Sequence, residues 1–309
     1  MSLRIRIAAA ATAVAALAVG GALPVQPVAA SAFPGTNGKI AFARDTGTPA
    51  IYVMNADGSK PHQIAPSGAD APTPSWSADG KHLVYVAVQG TNAEIFVTDA
   101  RGKRRQQLTK NKLTDGAPTW SPDGTQIVFT RYGKNLDLWV MDADGSHQRN
   151  LTNTPAADED EATWSPDGTQ ILFTSDPNDG SGPSEIFAMS ADGSGAHALT
   201  TNGGASSASW APDGTKIAYQ APAGADLPHI FVMNADGSNP VNLTGTEDIF
   251  FSPSWSPDGT RILFHTARLD SALDSQIYVM EADGSNPTAL TEQPGTIDRH
   301  PSWQPIPAH

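Results

Sequence analysis

A chain of 309 residues with 19 basic and 32 acidic side chains has a net charge of −13. With no basic surplus to neutralise a phosphate backbone, it is not built to hold nucleic acid. It contains no cysteine, which excludes disulfides, thiolate metal sites and thiol catalysis together.

Taken in order, the chain opens on a secretory leader. Arg4 and Arg6 supply a positive start, residues 7–23 an alanine-rich apolar run, and Ala30-Ser31-Ala32 the small residues that signal peptidase reads. The alternative is an uncleaved anchor, since the run lies near the lower limit for spanning a bilayer. The expectation is a leader over residues 1–32 and a single domain over residues 33–309, secreted or held in the periplasm or cell envelope, with no membrane span after cleavage.

From Gly38 onward a four-part phrase recurs. Its first part is an apolar strand ending in an aromatic, such as Ile40-Ala41-Phe42, Ile127-Val128-Phe129 and Ile262-Leu263-Phe264. Short β-branched and aromatic runs of this kind fit strands covered on both faces. The second part includes Ile51-Tyr52-Val53-Met54, Leu138-Trp139-Val140-Met141 and Ile277-Tyr278-Val279-Met280. Every methionine after Met1 falls on its last position, which marks a core filler rather than a metal ligand. The third part, centred on Leu108-Thr109, Leu151-Thr152, Leu199-Thr200, Leu243-Thr244 and Leu290-Thr291, is expected as a short outer strand, with Ile64-Ala65 its weakest copy. The fourth part ends in tryptophan, at Trp76, Trp120, Trp164, Trp210, Trp255 and Trp303, at steps of 44, 44, 46, 45 and 48 residues. A period in the forties marks an array of small β-sheets. Proline before most of these tryptophans places the strand at a sheet edge.

Two classes of Asp-Gly turn join the strands. One follows the tryptophan, as in Ser121-Pro122-Asp123-Gly124, and the other follows the second part, as in Ala143-Asp144-Gly145-Ser146. Proline fixes φ and glycine accepts positive φ, so these are hairpin turns. They lack the alternating oxygen ligands and distal glutamate of a calcium loop.

The tryptophan, Ser-Pro-Asp-Gly, Ile-Tyr-Val-Met-Asn-Ala-Asp-Gly and Leu-Thr elements resemble the repeat of the TolB-like six-bladed β-propellers. The resemblance covers about residues 38–303. It implies an all-β six-bladed propeller of four-stranded antiparallel blades. The chain begins on a first-part strand and closes on a tryptophan strand, so the C-terminal strand is expected to pair with the N-terminal blade and close the ring.

Function then falls to the loops. Both turn classes lie at one end of the sheets, and the irregular hairpins and crossings lie at the other, where binding residues usually sit on a rigid scaffold. The crossings are acidic: Asp70, Asp115, Asp158-Glu159-Asp160-Glu161, Asp248 and Asp298. Converging carboxylates bind a hard cation such as calcium or a cationic ligand, or else form a solvated rim. Asp115, Asp158, Glu159, Asp160, Asp248 and Asp298 are therefore the candidate partner-binding residues. The longest hairpin loop offers Asp176, Asn178 and Asp179 as metal-ligand candidates, against a plain flexible loop. Arg299 and His300 are acid/base candidates. The sequence has no Gly-x-Ser-x-Gly elbow, His-Glu-x-x-His or P-loop. The expected function is a monomeric binding module for a protein or peptide, the alternative a channel-mouth enzyme acting as a metal-dependent lyase or hydrolase.

Overall fold

The computed structural model describes residues 33–177, 182–223, 227–245, 249–267 and 275–307. The described residues begin with β1 (Thr36–Asp45), β2 (Ala50–Met54) and β3 (His62–Pro66). Twenty strands follow in fours: β4 (Ser75–Trp76), β5 (His82–Gln89), β6 (Asn92–Asp99) and β7 (Gln106–Gln107); β8 (Thr114–Trp120), β9 (Gln126–Tyr132), β10 (Leu136–Asp142) and β11 (Arg149–Asn150); β12 (Ala157–Trp164), β13 (Gln170–Pro177), β14 (Glu185–Ser190) and β15 (His197–Ala198). The next are β16 (Ser206–Trp210), β17 (Lys216–Ala223), β18 (Leu227–Asn234) and β19 (Val241–Asn242), then β20 (Ile249–Trp255), β21 (Arg261–Ala267), β22 (Ser275–Glu281) and β23 (Thr288–Ala289). The last strand is β24 (Ile297–Ile306). Among the described residues there is no helix, so none is long and apolar enough to cross a membrane.

Within each group the strands pair antiparallel in chain order. Four groups are separate sheets. The group β20–β23 and the group β24-β1-β2-β3 are joined by one parallel contact, Ser275 with Ile297. The pairing of β24 with β1 runs from Thr36↔Ile306 to Asp45↔Ile297. Chain end and chain beginning thus share one four-stranded unit, numbered here the sixth, with β4–β7 the first.

Neighbouring units are held together by tryptophan. Trp120 packs on Val84 and Ile95 of the unit before it, Trp164 on Val128 and Leu138, Trp210 on Leu172 and Ile186, and Trp255 on Ala218 and Ile230. Trp303 meets Leu263 and Ile277, and Trp76 meets Ala41 and Val53 of the sixth unit. Each ring system buries on the order of 200 Å², worth about 5 kcal/mol of transfer free energy.

The outer strands differ from expectation. They are Gln106–Gln107, Arg149–Asn150, His197–Ala198, Val241–Asn242 and Thr288–Ala289, immediately before the Leu-Thr pairs. The leucine amide still bonds the neighbouring strand, as Leu108 N does to Ile95 O at 2.8 Å. The threonine hydroxyl then takes over from the backbone: Thr109 Oγ1 accepts from Ile95 N at 2.9 Å, and Thr152, Thr200, Thr244 and Thr291 do the same in their units. Leu-Thr is a latch closing the strand, where a side chain competes with the ladder. The sixth unit, expected to be weakest here, has the longest outer strand, His62–Pro66.

Three residues before each of the six tryptophans the backbone is kinked. Thr73, Ala117, Glu161, Ser207, Ser252 and His300 all have φ between 33° and 59°. In β8, β12, β16 and β20 the register shifts by one at this point, the mark of a β-bulge. Bulges re-aim side chains, so the residues just before them are set apart from the regular ladder.

At the other end of each inner strand lie the turns. Ser121 Oγ donates to Asp123 Oδ1 at 2.6 Å and accepts from Gln126 N at 2.9 Å, and Gly124 N reaches Ser121 O at 2.9 Å. The second turn class also makes the contact to the neighbouring unit. A Cβ on Gly145 would meet the Leu108 carbonyl, and the same holds for Gly193 on Leu151, Gly237 on Leu199, Gly284 on Leu243, Gly58 on Leu290 and Gly102 on Ile64.

Candidate functional site

The bulge divides the predicted carboxylates by position. Five residues before the tryptophan, Asp115 on β8 is fully buried and accepts from two guanidinium nitrogens of Arg131 from β9, Nε at 2.7 Å and Nη2 at 2.9 Å. Asn111 Nδ2 donates to it at 2.7 Å. Asp298 on β24 is equally buried and is held the same way by Arg44 of β1, at 2.7 and 2.6 Å. These two are not part of a solvated rim; each is neutralised by its own arginine. Each guanidinium in turn lies over a cross-strand aromatic pair. Arg44 sits 5.1 Å from the ring centres of both Phe42 and Tyr52, and Arg131 is 5.2 Å from Phe129 and 4.4 Å from Trp139.

The third unit holds the remaining acids. Asp158, half-buried, accepts from Leu136 N at 2.8 Å. Glu159 is 2% exposed and its Oε2 has no hydrogen-bond partner among the described residues. Burial pushes its carboxyl up to about 7 against hydrogen bonds to the carboxyl from the Thr152 and Thr154 side chains, and the charges of Asp137 and Asp158 add to the rise. Asp160 accepts from Thr130 Oγ1 at 2.6 Å, Tyr132 Oη at 3.1 Å and Glu161 N at 2.7 Å. Glu161 accepts from Thr174 Oγ1 at 2.9 Å and from Ser207 N at 2.6 Å. Both carboxyls of this touching pair are raised by burial, which outweighs the hydrogen bonds to them. Asp176, expected in a loop, is on β13 opposite Asp158; burial and then that charge raise its carboxyl too. Asp70 is exposed. Asp248, Asn178 and Asp179 lie outside the described residues. Among the described residues no three histidine or acidic side chains are placed to share a metal ion.

The histidine candidate has an unforeseen neighbour. His300 on β24 meets His265 on β21 edge-on, ring centres 5.5 Å apart, and Phe251 stacks on His265 at 5.3 Å. Both imidazoles are buried and both Nδ1 atoms lack a partner among the described residues. Burial, then the charge of Arg299, holds His265 down to about 3; burial, then His265 and Arg299, holds His300 well below its ordinary value. Arg299 is partly buried, with Asp45 and Asp70 in electrostatic range. A neutral imidazole with no carboxylate to orient it is a poor start for a general base.

The sequence reading missed Arg44, Arg131 and His265. The signal was present: Arg44 and Arg131 each stand two residues after the aromatic of their first-part strand, and Asp298 and Asp115 each stand five before tryptophan.

With this geometry in hand, comparison with known proteins places the chain. A model of the TolB beta propeller domain matches residues 31–306. The chain belongs to that family. Among solved structures, this TolB-like propeller is similar to TolB from Acinetobacter baumannii, with 26% identity and a TM-score of 0.75 over 87% of this chain and 67% of that one. A TolB candidate from Agrobacterium tumefaciens matches at 17% identity and a TM-score of 0.67, covering 87% and 99%. An oligogalacturonate lyase in complex with manganese matches at 15% identity and 0.55, covering 85% and 75%, a likeness of fold alone. No curated protein matches the sequence.

Proposed function

We propose that the chain is an exported, monomeric six-bladed propeller of the cell envelope or the secreted fraction, closed through β24 and β1, which binds a protein or peptide over the end that carries the crossings. The observation behind this reading is the contrast between the two ends. At the turn end, the same Ser-Asp-Gly hydrogen bonds recur from unit to unit, for instance Ser77–Asp79, Ser165–Asp167 and Ser256–Asp258, each at 2.6 Å. At the crossing end no such repetition holds: the position five before tryptophan is Ala71, Asp115, Glu159, Ala205, Phe250 and Asp298 in turn. Variation of side chains on a repeated frame is how propellers acquire binding specificity. The six tryptophan contacts support ring closure, and the likeness to TolB supports a protein partner.

The test uses the full chain expressed with its own leader. Mass spectrometry of the exported protein is expected to find a chain beginning near Phe33. Capture from the envelope or secreted fraction is expected to recover a partner with the wild type and to lose it with Asp158→Ala plus Asp176→Ala. Equal recovery by both proteins would overturn binding at the crossing end.

A further inference from the structure

The repeat permits a comparison of equivalent positions: three units carry a carboxylate five residues before tryptophan, and among these the third departs from the second and the sixth. In the second unit a buried carboxylate, an arginine and two aromatics form one stack: Asp115, Arg131, Phe129 and Trp139. In the sixth the same stack is Asp298, Arg44, Phe42 and Tyr52. Arg131 faces Asp115 in the strand register, and Arg44 faces Asp298.

The third unit has a carboxylate and a ring pair at the equivalent positions, without the cation. Glu159 stands five residues before Trp164, as Asp115 does before Trp120. Phe173 and Phe187 form the cross-strand ring pair, centres 5.6 Å apart. The residue in register with Glu159 is Ser175, whose side chain is too short and too weakly polar to replace a guanidinium. Glu159 Oε2 is accordingly buried without a partner among the described residues. A buried carboxylate in this condition is costly unless a cation or proton meets it. The surroundings deepen the need: Asp158 and Asp176 are paired across β12 and β13, and the charge of Asp137, on β10 of the second unit, reaches Glu159. A metal ion is not favoured, since no three ligands converge among the described residues. A carboxylate and two aromatics at the positions that frame Arg131 and Arg44 in their own units suit a planar guanidinium, which forks onto the carboxylate and lies over the rings.

We propose that the position facing Ser175 beside Glu159, at the crossing end of the third unit, takes the guanidinium of an arginine side chain presented by a partner peptide. The inference rests on the binding reading above and names the chemistry that the partner must offer. Ser175 leaves the place that Arg131 and Arg44 fill in their own units, so the arginine is supplied in trans rather than in cis.

The experiment uses the whole exported protein and Nα-acetyl-arginine amide as probe, with the citrulline amide as its neutral, nearly isosteric control and sodium chloride matched throughout. Backbone-amide NMR titration is expected to show saturable shifts around Glu159 and Ser175 with the arginine probe. The citrulline probe is expected to bind about tenfold more weakly or worse, as is the arginine probe against Glu159→Gln. Ser175→Arg is expected to raise the melting temperature and abolish probe binding, and the rise is expected to vanish in the Glu159→Gln background. Three outcomes would overturn the inference: no saturation up to tens of millimolar, equal binding of arginine and citrulline, or a Ser175→Arg rise that survives loss of the carboxylate. A partner captured by wild type and still captured by Ser175→Arg would also sink it, while leaving binding at the crossing end intact.

Discussion

Arg131 and Asp115 show how much hangs on single side chains. Both are withdrawn from water and each is the other's main compensation, so removing one leaves a buried charge. Arg131→Leu is expected to destabilise the fold by about 3–5 kcal/mol, and Asp115→Leu with Arg131→Leu by much less, because that double change removes the uncompensated charge as well. Urea unfolding of both variants measures the difference. The buried titratable groups set a second expectation. In the unfolded chain His265 and His300 titrate near 6.5, but in the fold they are held far lower. Below 6.5 the unfolded chain therefore binds more protons, and stability falls as pH drops. Glu159, raised to about 7 from 4.5, and the raised Asp160 and Glu161 retain protons that the unfolded chain has released. Stability therefore also falls as pH rises from about 4.5 through about 7. Between these limits three raised carboxyls outweigh two depressed imidazoles, so the maximum in urea midpoints is expected at the acid edge of the window, toward about pH 4.5–5, with Glu159→Gln flattening the alkaline limb. The carboxylates could be read from the sequence, and their different fates could not, because pairing depends on which residue the register sets opposite each one.

Strands and turns were far more legible. Apolar runs at fixed offsets from tryptophan gave the positions of the inner three strands of each unit, since β-branched and aromatic residues covered on both faces have few other arrangements. The outer strand was misplaced by two residues because a threonine hydroxyl there does the work of a backbone carbonyl, and propensity does not distinguish the two. Thr109→Val tests the latch: it keeps the shape, removes the acceptor for Ile95 N, and is expected to cost about 1–3 kcal/mol. The kink before each tryptophan was also illegible, because alanine, serine, threonine, glutamate and histidine all occupy it and none signals positive φ. The glycine turns divide by what surrounds them. Gly124, at φ 70° with open space around it, is expected to lose about 1–2 kcal/mol on change to alanine from backbone strain alone. Gly80, at φ 66°, lies where a Cβ would strike the carbonyl of Pro305, so Gly80→Ala is expected to cost clearly more. Thermal unfolding of the pair measures the gap.

For the whole molecule, the pairing of β24 with β1 is the decisive contact. Removing residues 298–309 takes away an inner strand and bares both β1 and the ring of Trp76. A single cooperative transition is expected to be lost or shifted down by many degrees, where a mere tail would leave it unchanged; calorimetry distinguishes the two. The same pairing sets where β1 begins and β24 ends. Thr36 faces Ile306, where five other units carry a hairpin turn, so both ends of the described stretch lie at the turn end. Phe33, packed with Trp120 and Val84, and Gly35, bonded to the Pro257 carbonyl at 3.1 Å, lay the first described residues across that same end. A tether, tag or fused domain joined at Phe33 or after Pro307 therefore anchors the molecule from the turn side and presents the crossings outward. A sensor surface can be loaded through either of these points without masking the face that varies.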